Sequence, residues 1–183
     1  MTREELRIGV FVCSCGSNIA SVIDPAEVAA YARTLPGVVT ARTNLYMCGD
    51  PGQNAIKDEI AAFKLNRVVV AACSVRMHEP TFRNCVAEAG LNPFFMELAN
   101  IREQDTWVHA HEPERALLKA KEIVAAAVAK VSYVAPLTPL TVPVTKAAMV
   151  IGGGVAGISA ALDLADMGIT TYLVEKEQSI GGT

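Results

Sequence analysis

No stretch of this sequence approaches the ~20 consecutive apolar residues of a membrane-spanning helix; the longest apolar runs are residues 68–73 and 123–129. Basic clusters are also missing. Sixteen Lys plus Arg stand against nineteen Asp plus Glu, for a net charge of −3, and aromatics make up only 5% of the chain. A basic surface with interleaved aromatics, which nucleic-acid binding demands, is therefore absent. Residues 1–7 are mostly polar and no apolar segment follows them, so no secretory leader is expected and the cytoplasm is the expected compartment. There the five cysteines, an odd number, read as metal ligands or reactive thiols before they read as a disulfide framework. What is abundant is apolar character: 51% of residues and a mean hydropathy of +0.31. The length of 183 residues allows one domain, or one and part of another.

Short β-branched runs alternate with helical periods. Residues 7–12 are of strand type and end at Cys13-Ser14-Cys15-Gly16. Asp24-Pro25-Ala26-Glu27 predicts a helix start, with Asp24 as cap, Pro25 at the first position and Glu27 completing a capping box, and Pro36-Gly37 predicts its end. A second strand over 38–46 leads to Cys48, and Asp50-Pro51-Gly52-Gln53 repeats the cap chemistry of a helix running to Phe63. The third strand, 67–72, is apolar in its middle, as a central parallel strand buried on both faces would be, and ends at Cys73. A helix is predicted from Glu79-Pro80 to Gly90, a fourth strand over 92–97, and a long helix from Pro113 to Tyr133. This alternation predicts an α/β fold: an open parallel sheet with helices on both faces, of the Rossmann or flavodoxin-like kind, over residues 1–133. The three prolines between 134 and 146 cannot continue a helix and predict a linker. Residues 147–183 then read as the first βαβ unit of a dinucleotide-binding domain, and the chain is expected to be the opening of a larger one.

Gly152, Gly154 and Gly157 have the G-x-G-x-x-G spacing, which supplies a tight turn, close backbone approach to a pyrophosphate, and close helix–strand packing. The helix that follows offers unpaired N–H groups and a positive dipole to phosphates. Glu175, at the end of the next predicted strand, is the candidate for the ribose hydroxyls, and a carboxylate there disfavours a 2′-phosphate. A glycine-rich turn in a plain α/β domain is the alternative. Residues 174–177, followed by Ile180-Gly181-Gly182, resemble the two-dinucleotide-binding-domain flavoproteins, which favours FAD. FAD is expected to be held only when the domain is complete.

Cys13, Cys48 and Cys73 each follow the carboxyl end of a predicted parallel strand, the edge at which open α/β sheets place ligands. Cys15 shares a loop with Cys13. Two of these cysteines precede helix starts, where the dipole lowers a thiol pKa. Four sulfurs at one edge suit an iron–sulfur cluster or tetrahedral zinc. The alternatives are small buried hydrophobes at strand ends, or a redox-active Cys13/Cys15 pair. Cys85 lies on a helical apolar stripe and reads as core. Arg76 and His78 are placed to act near sulfur or are solvated loop residues, His109 and His111 read as surface residues, and Trp107 as a packing anchor.

The segments Phe11-Val12-Cys13-Ser14-Cys15-Gly16-Ser17-Asn18-Ile19, Asp50-Pro51-Gly52-Gln53, Ala71 through Phe82, Ala89-Gly90-Leu91-Asn92-Pro93 and Asn100-Ile101-Arg102-Glu103-Gln104 resemble the amino-terminal domain of the heterodisulfide reductase A-subunits. Residues 148–182 resemble the start of the FAD domain of that family. The resemblance implies a cytoplasmic iron–sulfur flavoprotein subunit with a [4Fe–4S] cluster in its amino-terminal domain and FAD beyond it. It also implies electron pairs received from a hydrogenase or formate dehydrogenase module and bifurcated between ferredoxin and disulfide-reducing partner subunits of an oligomeric complex. Two departures are visible: Ser14 where the family has His, and Asp105 where many members have Cys. If the family's fourth ligand lies at that second position, Asp105, Cys15 or Cys85 takes its place, or no cluster binds. A docking module holding zinc or no metal, and a thiol–disulfide domain using Cys13 and Cys15, are the competing expectations. The fragment alone is expected to be inactive.

Overall fold

The computed structural model describes residues 5–182. The chain divides into two compact units, Met1–Thr138 and Pro139–Thr183. In the first, four parallel strands form one sheet in the order β2-β1-β3-β4, with β1 Ile8–Cys13, β2 Val38–Asn44, β3 Arg67–Ala72 and β4 Met96–Asn100. This is a flavodoxin-type order, with the topological switch between β1 and β3. The register keeps the carboxyl ends level: Cys13 lies opposite Asn44, Val12 opposite Ala71, and Ala72 opposite Asn100.

Strand residues alternate between two cores, as the period of two requires. Val10, Val12, Val69 and Ala71 meet α1 (Pro25–Ala32) and α4 (Pro113–Val131) through Val28, Ala29, Ala120, Val124 and Val128. Phe11, Cys13, Val68 and Val70 meet α2 (Asp50–Phe63) and α3 (Val75–Glu88) through Ile56, Ile60, Phe82, Cys85 and Val86. Helices thus cover both faces, which is why every residue of β1 and β3 is buried.

Several boundaries differ from the sequence expectation. Asp24 does cap α1, accepting the Ala26 N–H at 2.8 Å. Glu27 does not fold back to complete a box; it takes Lys121 Nζ at 2.7 Å. The first helix ends at Ala32, before Pro36-Gly37, and β2 stops at Asn44 rather than 46. Asp50 is inside α2, whose cap is Gly49; the local side-chain bond is Gln53 Nε2 to the Cys48 carbonyl at 2.8 Å. Helix α3 begins at Val75, so Pro80 lies within it: a proline in the second turn removes one hydrogen bond but does not stop a helix already nucleated upstream. β4 starts four residues late because Asn92 turns the chain, its Oδ1 accepting the Phe94 N–H at 2.9 Å and its carbonyl the Phe95 N–H at 2.9 Å. After β4 comes a π-helical turn, Arg102–Thr106, with Thr106 and Trp107 donating five residues back to Ile101 and Arg102.

The second unit is a single βαβ: β5 Ala147–Ile151, α5 Val155–Asp166 and β6 Thr170–Val174, with β5 and β6 parallel and in register. None of the described residues of α5 is buried. Met149, Ile151, Val155, Leu162 and Tyr172 are all exposed. No helix among the described residues is long and apolar enough to cross a membrane.

Candidate functional site

The level strand ends of the first unit bring the cysteine loops together. Cys13, Cys15, Cys48 and Cys73 line one cavity of about 70 Å³, with Tyr46, Ala72, His78, Phe82 and Arg102 completing its wall. Cys13 is the last residue of β1 and is buried; its Sγ accepts the N–H of Cys15 at 3.2 Å and of Met47 at 3.4 Å. Cys15 stands in the left-handed region, φ 50°, on the loop that follows. Cys48 lies between β2 and α2, and Cys73 between β3 and α3.

All five cysteines are free thiols. Burial pushes the Cys13 thiol up, against the two backbone N–H bonds that favour its thiolate. Burial, with the neighbouring Cys15 sulfur next, pushes Cys73 up to about 11, although Arg102 opposes. The lowered thiol pKa expected from a helix start is therefore not realised at Cys73, where desolvation outweighs the Arg102 charge. Bringing a cation against these sulfurs reverses that balance, since a coordinated thiol is deprotonated outright.

Four thiols would be the ligands of a metal centre here, and two backbone N–H groups on one sulfur and a guanidinium on another would stabilise the thiolates. Among the described residues, no three His, Cys, Asp or Glu side chains are arranged as a cage around one ion. The thiols ring a cavity instead, and in a cluster each cysteine binds a different iron. Cys85 stays apart, fully buried on α3, its thiol donating to the Gln53 carbonyl at 3.4 Å and pushed up to about 11 by burial.

His78 lines the cavity, edge-on to Phe82 with ring centroids 6.4 Å apart. Arg76 is exposed and is not among the lining residues. Sequence reasoning missed Arg102, which supplies the positive charge instead: its Nη1 donates to Cys15 Sγ at 2.9 Å. The signal was present, since Arg102 follows the fourth strand at the same edge as the cysteines, but the early placement of that strand hid it. Trp107, read as a packing anchor, is 54% exposed and lies under the Arg102 guanidinium, 4.6 Å from it. His109, read as a surface residue, is buried, with Nδ1 3.1 Å from Glu112 and Nε2 3.4 Å from Lys119. Asp105 is fully buried, neither of its oxygens has a hydrogen-bond partner among the described residues, and it is not among the residues lining the cysteine cavity.

In the second unit Gly152, Gly153 and Gly154 join β5 to α5, and Gly154 occupies the cap position. Gly152 has φ +105°, a conformation that L side chains rarely adopt. A Cβ on Gly157 would overlap the Gly152 carbonyl oxygen, so α5 approaches the loop only because residue 157 has no side chain. Glu175 follows β6 and accepts three backbone N–H groups: Gly153 at 2.6 Å, Lys176 at 2.7 Å and Glu177 at 2.9 Å. The N–H of Glu177 and then those of Gly153 and Lys176 hold its pKa below the usual carboxylate range. A carboxylate offers about four lone-pair positions, so one remains for a ribose hydroxyl. Gly181 donates its N–H to the Gly153 carbonyl at 2.7 Å, folding the Gly181-Gly182 segment back onto the loop.

Strand, glycine turn, helix, strand and acidic residue define this unit as a dinucleotide-binding βαβ, and residues 148–183 match the family of FAD dependent oxidoreductases. Over its whole length the chain is a homologue of the heterodisulfide reductase A-subunits, as its residues suggested. It is 60% identical to the second iron-sulfur A-subunit of the CoB–CoM heterodisulfide reductase of Methanopyrus kandleri, with 100% of this chain and 28% of that protein covered. It is 59% identical to the A-subunit of the H(2):CoB-CoM heterodisulfide,ferredoxin reductase of Methanothermobacter thermautotrophicus, covering 99% of this chain and 28% of the relative. With a protein of Archaeoglobus profundus named as similar to the heterodisulfide reductase A-subunit, the identity is 53%, over 100% of this chain and 26% of that one. The chain thus spans little more than a quarter of the length of these relatives.

Proposed function

We propose that this chain is the cluster-bearing portion and flavin-domain opening of an iron–sulfur flavoprotein electron-transfer subunit. Residues 1–133 form a domain in which Cys13, Cys15, Cys48 and Cys73 hold a [4Fe–4S] cluster. Residues 134–146 link it to 147–183, where Gly152, Gly154, Gly157, Glu175, Gly181 and Gly182 bind the dinucleotide part of FAD once the domain is complete. When bound, the cluster carries single electrons and the flavin exchanges them for pairs. The observation that carries the reading is the convergence of four thiols from three adjacent strand ends on one cavity. The names of the relatives support iron–sulfur over zinc. The Methanothermobacter name couples dihydrogen to ferredoxin and the heterodisulfide, which supports a complex with a hydrogenase that bifurcates electrons to ferredoxin and to disulfide-reducing subunits. The exposed apolar faces of the second unit are those that the rest of an FAD domain covers.

For this chain's own residues, the roles are to bind and to exclude water. The loops after β1, β2 and β3 fix the thiols, and the two N–H groups on Cys13 stabilise charge at its sulfur. Thiol–disulfide exchange requires an accessible thiolate, whereas Cys13 is buried and its pKa is raised; that reading has less support.

Anaerobic reconstitution with iron and sulfide assay and EPR of the dithionite-reduced chain tests the proposal. About four irons and four sulfides per chain are expected, with the EPR signal lost in Cys73→Ala. Fewer than about two irons per chain, or zinc without sulfide, would favour the docking-module reading. The 183-residue chain is expected to retain no FAD and the complete subunit to retain it stoichiometrically.

A further inference from the structure

Arg102 is fixed more firmly than a surface arginine would be. Asn100 Oδ1 accepts its backbone N–H at 3.2 Å and that of Glu103 at 3.0 Å, pinning the start of the π-helical turn to the end of β4. The Glu103 carboxylate takes Nη2 at 2.9 Å, and the Trp107 ring lies 4.6 Å from the guanidinium carbon. These contacts aim Nη1 at Cys15 Sγ, 2.9 Å away. Nε is buried and has no hydrogen-bond partner among the described residues.

A cation held against a ligand sulfur stabilises whichever state of the centre carries more negative charge. For an iron–sulfur centre that is the reduced state, and hydrogen bonds to sulfur and net local charge are the levers on potential. We propose that Arg102 is a positioning residue that raises the reduction potential of the centre in the cysteine cavity, acting through its hydrogen bond to the Cys15 sulfur. In the step concerned, one electron enters the centre from an external reductant, and Arg102 neither gains nor loses a proton. The inference rests on the cluster reading above and adds to it the residue that sets the energy level. The π-helical turn has a purpose in this view. It brings Arg102 to the cavity and Trp107 beneath its guanidinium within six residues of chain.

The test is EPR-monitored potentiometry on the complete subunit, prepared anaerobically, with dithionite as reductant and iron and sulfide measured on every preparation. The relevant signal is the one abolished by Cys73→Ala. Arg102→Gln is expected to keep its iron and sulfide and to be harder to reduce, by about tenfold in the reduction equilibrium, or about 59 mV for one electron. Arg102→Lys, which keeps the charge, is expected to recover most of that shift. Should Arg102→Gln fail to hold the cluster, Glu103→Gln carries the test: it leaves the arginine and removes its counter-charge, so the potential rises. An unshifted potential in Arg102→Gln or Glu103→Gln, or Arg102→Lys as low as Arg102→Gln, overturns the proposal. A Cys73→Ala subunit that keeps both the signal and the iron of the wild type overturns the cluster reading itself, an outcome distinct from an unshifted potential.

Discussion

Glu175 and Gly153 are locked together across the second unit: the Glu175 Oε2 accepts the Gly153 N–H at 2.6 Å, tying the end of β6 to the turn after β5. The same carboxylate also accepts two amides of its own loop, so ordering of the glycine turn depends on its charge.

Glu175→Gln is therefore expected to loosen the turn and to weaken FAD retention in the complete subunit, as read by the flavin-to-protein absorbance ratio after gel filtration. Because the folded-state pKa of Glu175 is depressed, its contribution is full above the ordinary carboxylate pKa and is lost as pH falls through the lower folded value. Retention in the wild type should fall in that acid range, and the variant should lack this component. Equal retention by both proteins from neutral to acid pH would contradict this.

Asp105 carries the opposite sign. Burial pushes its carboxyl up to about 6, with Lys119 and His109 opposing. The folded state therefore binds the proton more tightly than the unfolded one, whose carboxyl sits near ~3.9. Above pH 6 the buried charge costs stability, at most about 3 kcal/mol by linkage. Asp105→Asn is expected to be more stable than wild type at pH 7.5, with the advantage shrinking as pH falls through 6 and vanishing near pH 4. Denaturant melts of the two proteins across that range check it, and a difference that does not change with pH would sink it.

Cys85 separates structural from ligating cysteines. Cys85→Ala removes one buried sulfur from the second core and is expected to cost about 1 kcal/mol while leaving the iron content unchanged. Cys73→Ala is expected to abolish the centre. In the folded apo chain the Cys85 thiol should also resist iodoacetamide at pH 8, because it is buried and its pKa is raised to about 11; mass mapping of alkylated peptides reads this directly.

The β-α order was legible because buried parallel strands such as the third are continuously apolar, over 68–72, and because Asp24-Pro25 states its helix start chemically. The cysteine edge was legible for the same reason: a residue just past a parallel strand has only one edge to occupy. Boundaries failed where a local hydrogen bond competed with a composition rule. Pro80 looked like a helix start, yet it falls in the second turn of α3, and Asn92 broke what looked like strand. The π-helical turn left no periodic trace, since it consists of two five-residue-back bonds. Arg102 followed it out of sight, and so did the burial of Asp105 and His109, which depends on how α4 lies against that turn.

The second unit has one more consequence, for handling the chain. Among the described residues its sheet has two strands, so each is an edge with a row of unpaired backbone groups, and the side chains beside those edges, Met149, Ile151 and Tyr172 among them, are apolar and exposed. Exposed apolar edge strands are templates for pairing with a second molecule. Concentrated solutions of the 183-residue chain should thus self-associate through residues 147–174, and ending the chain at the proline segment should leave the cysteine domain monodisperse.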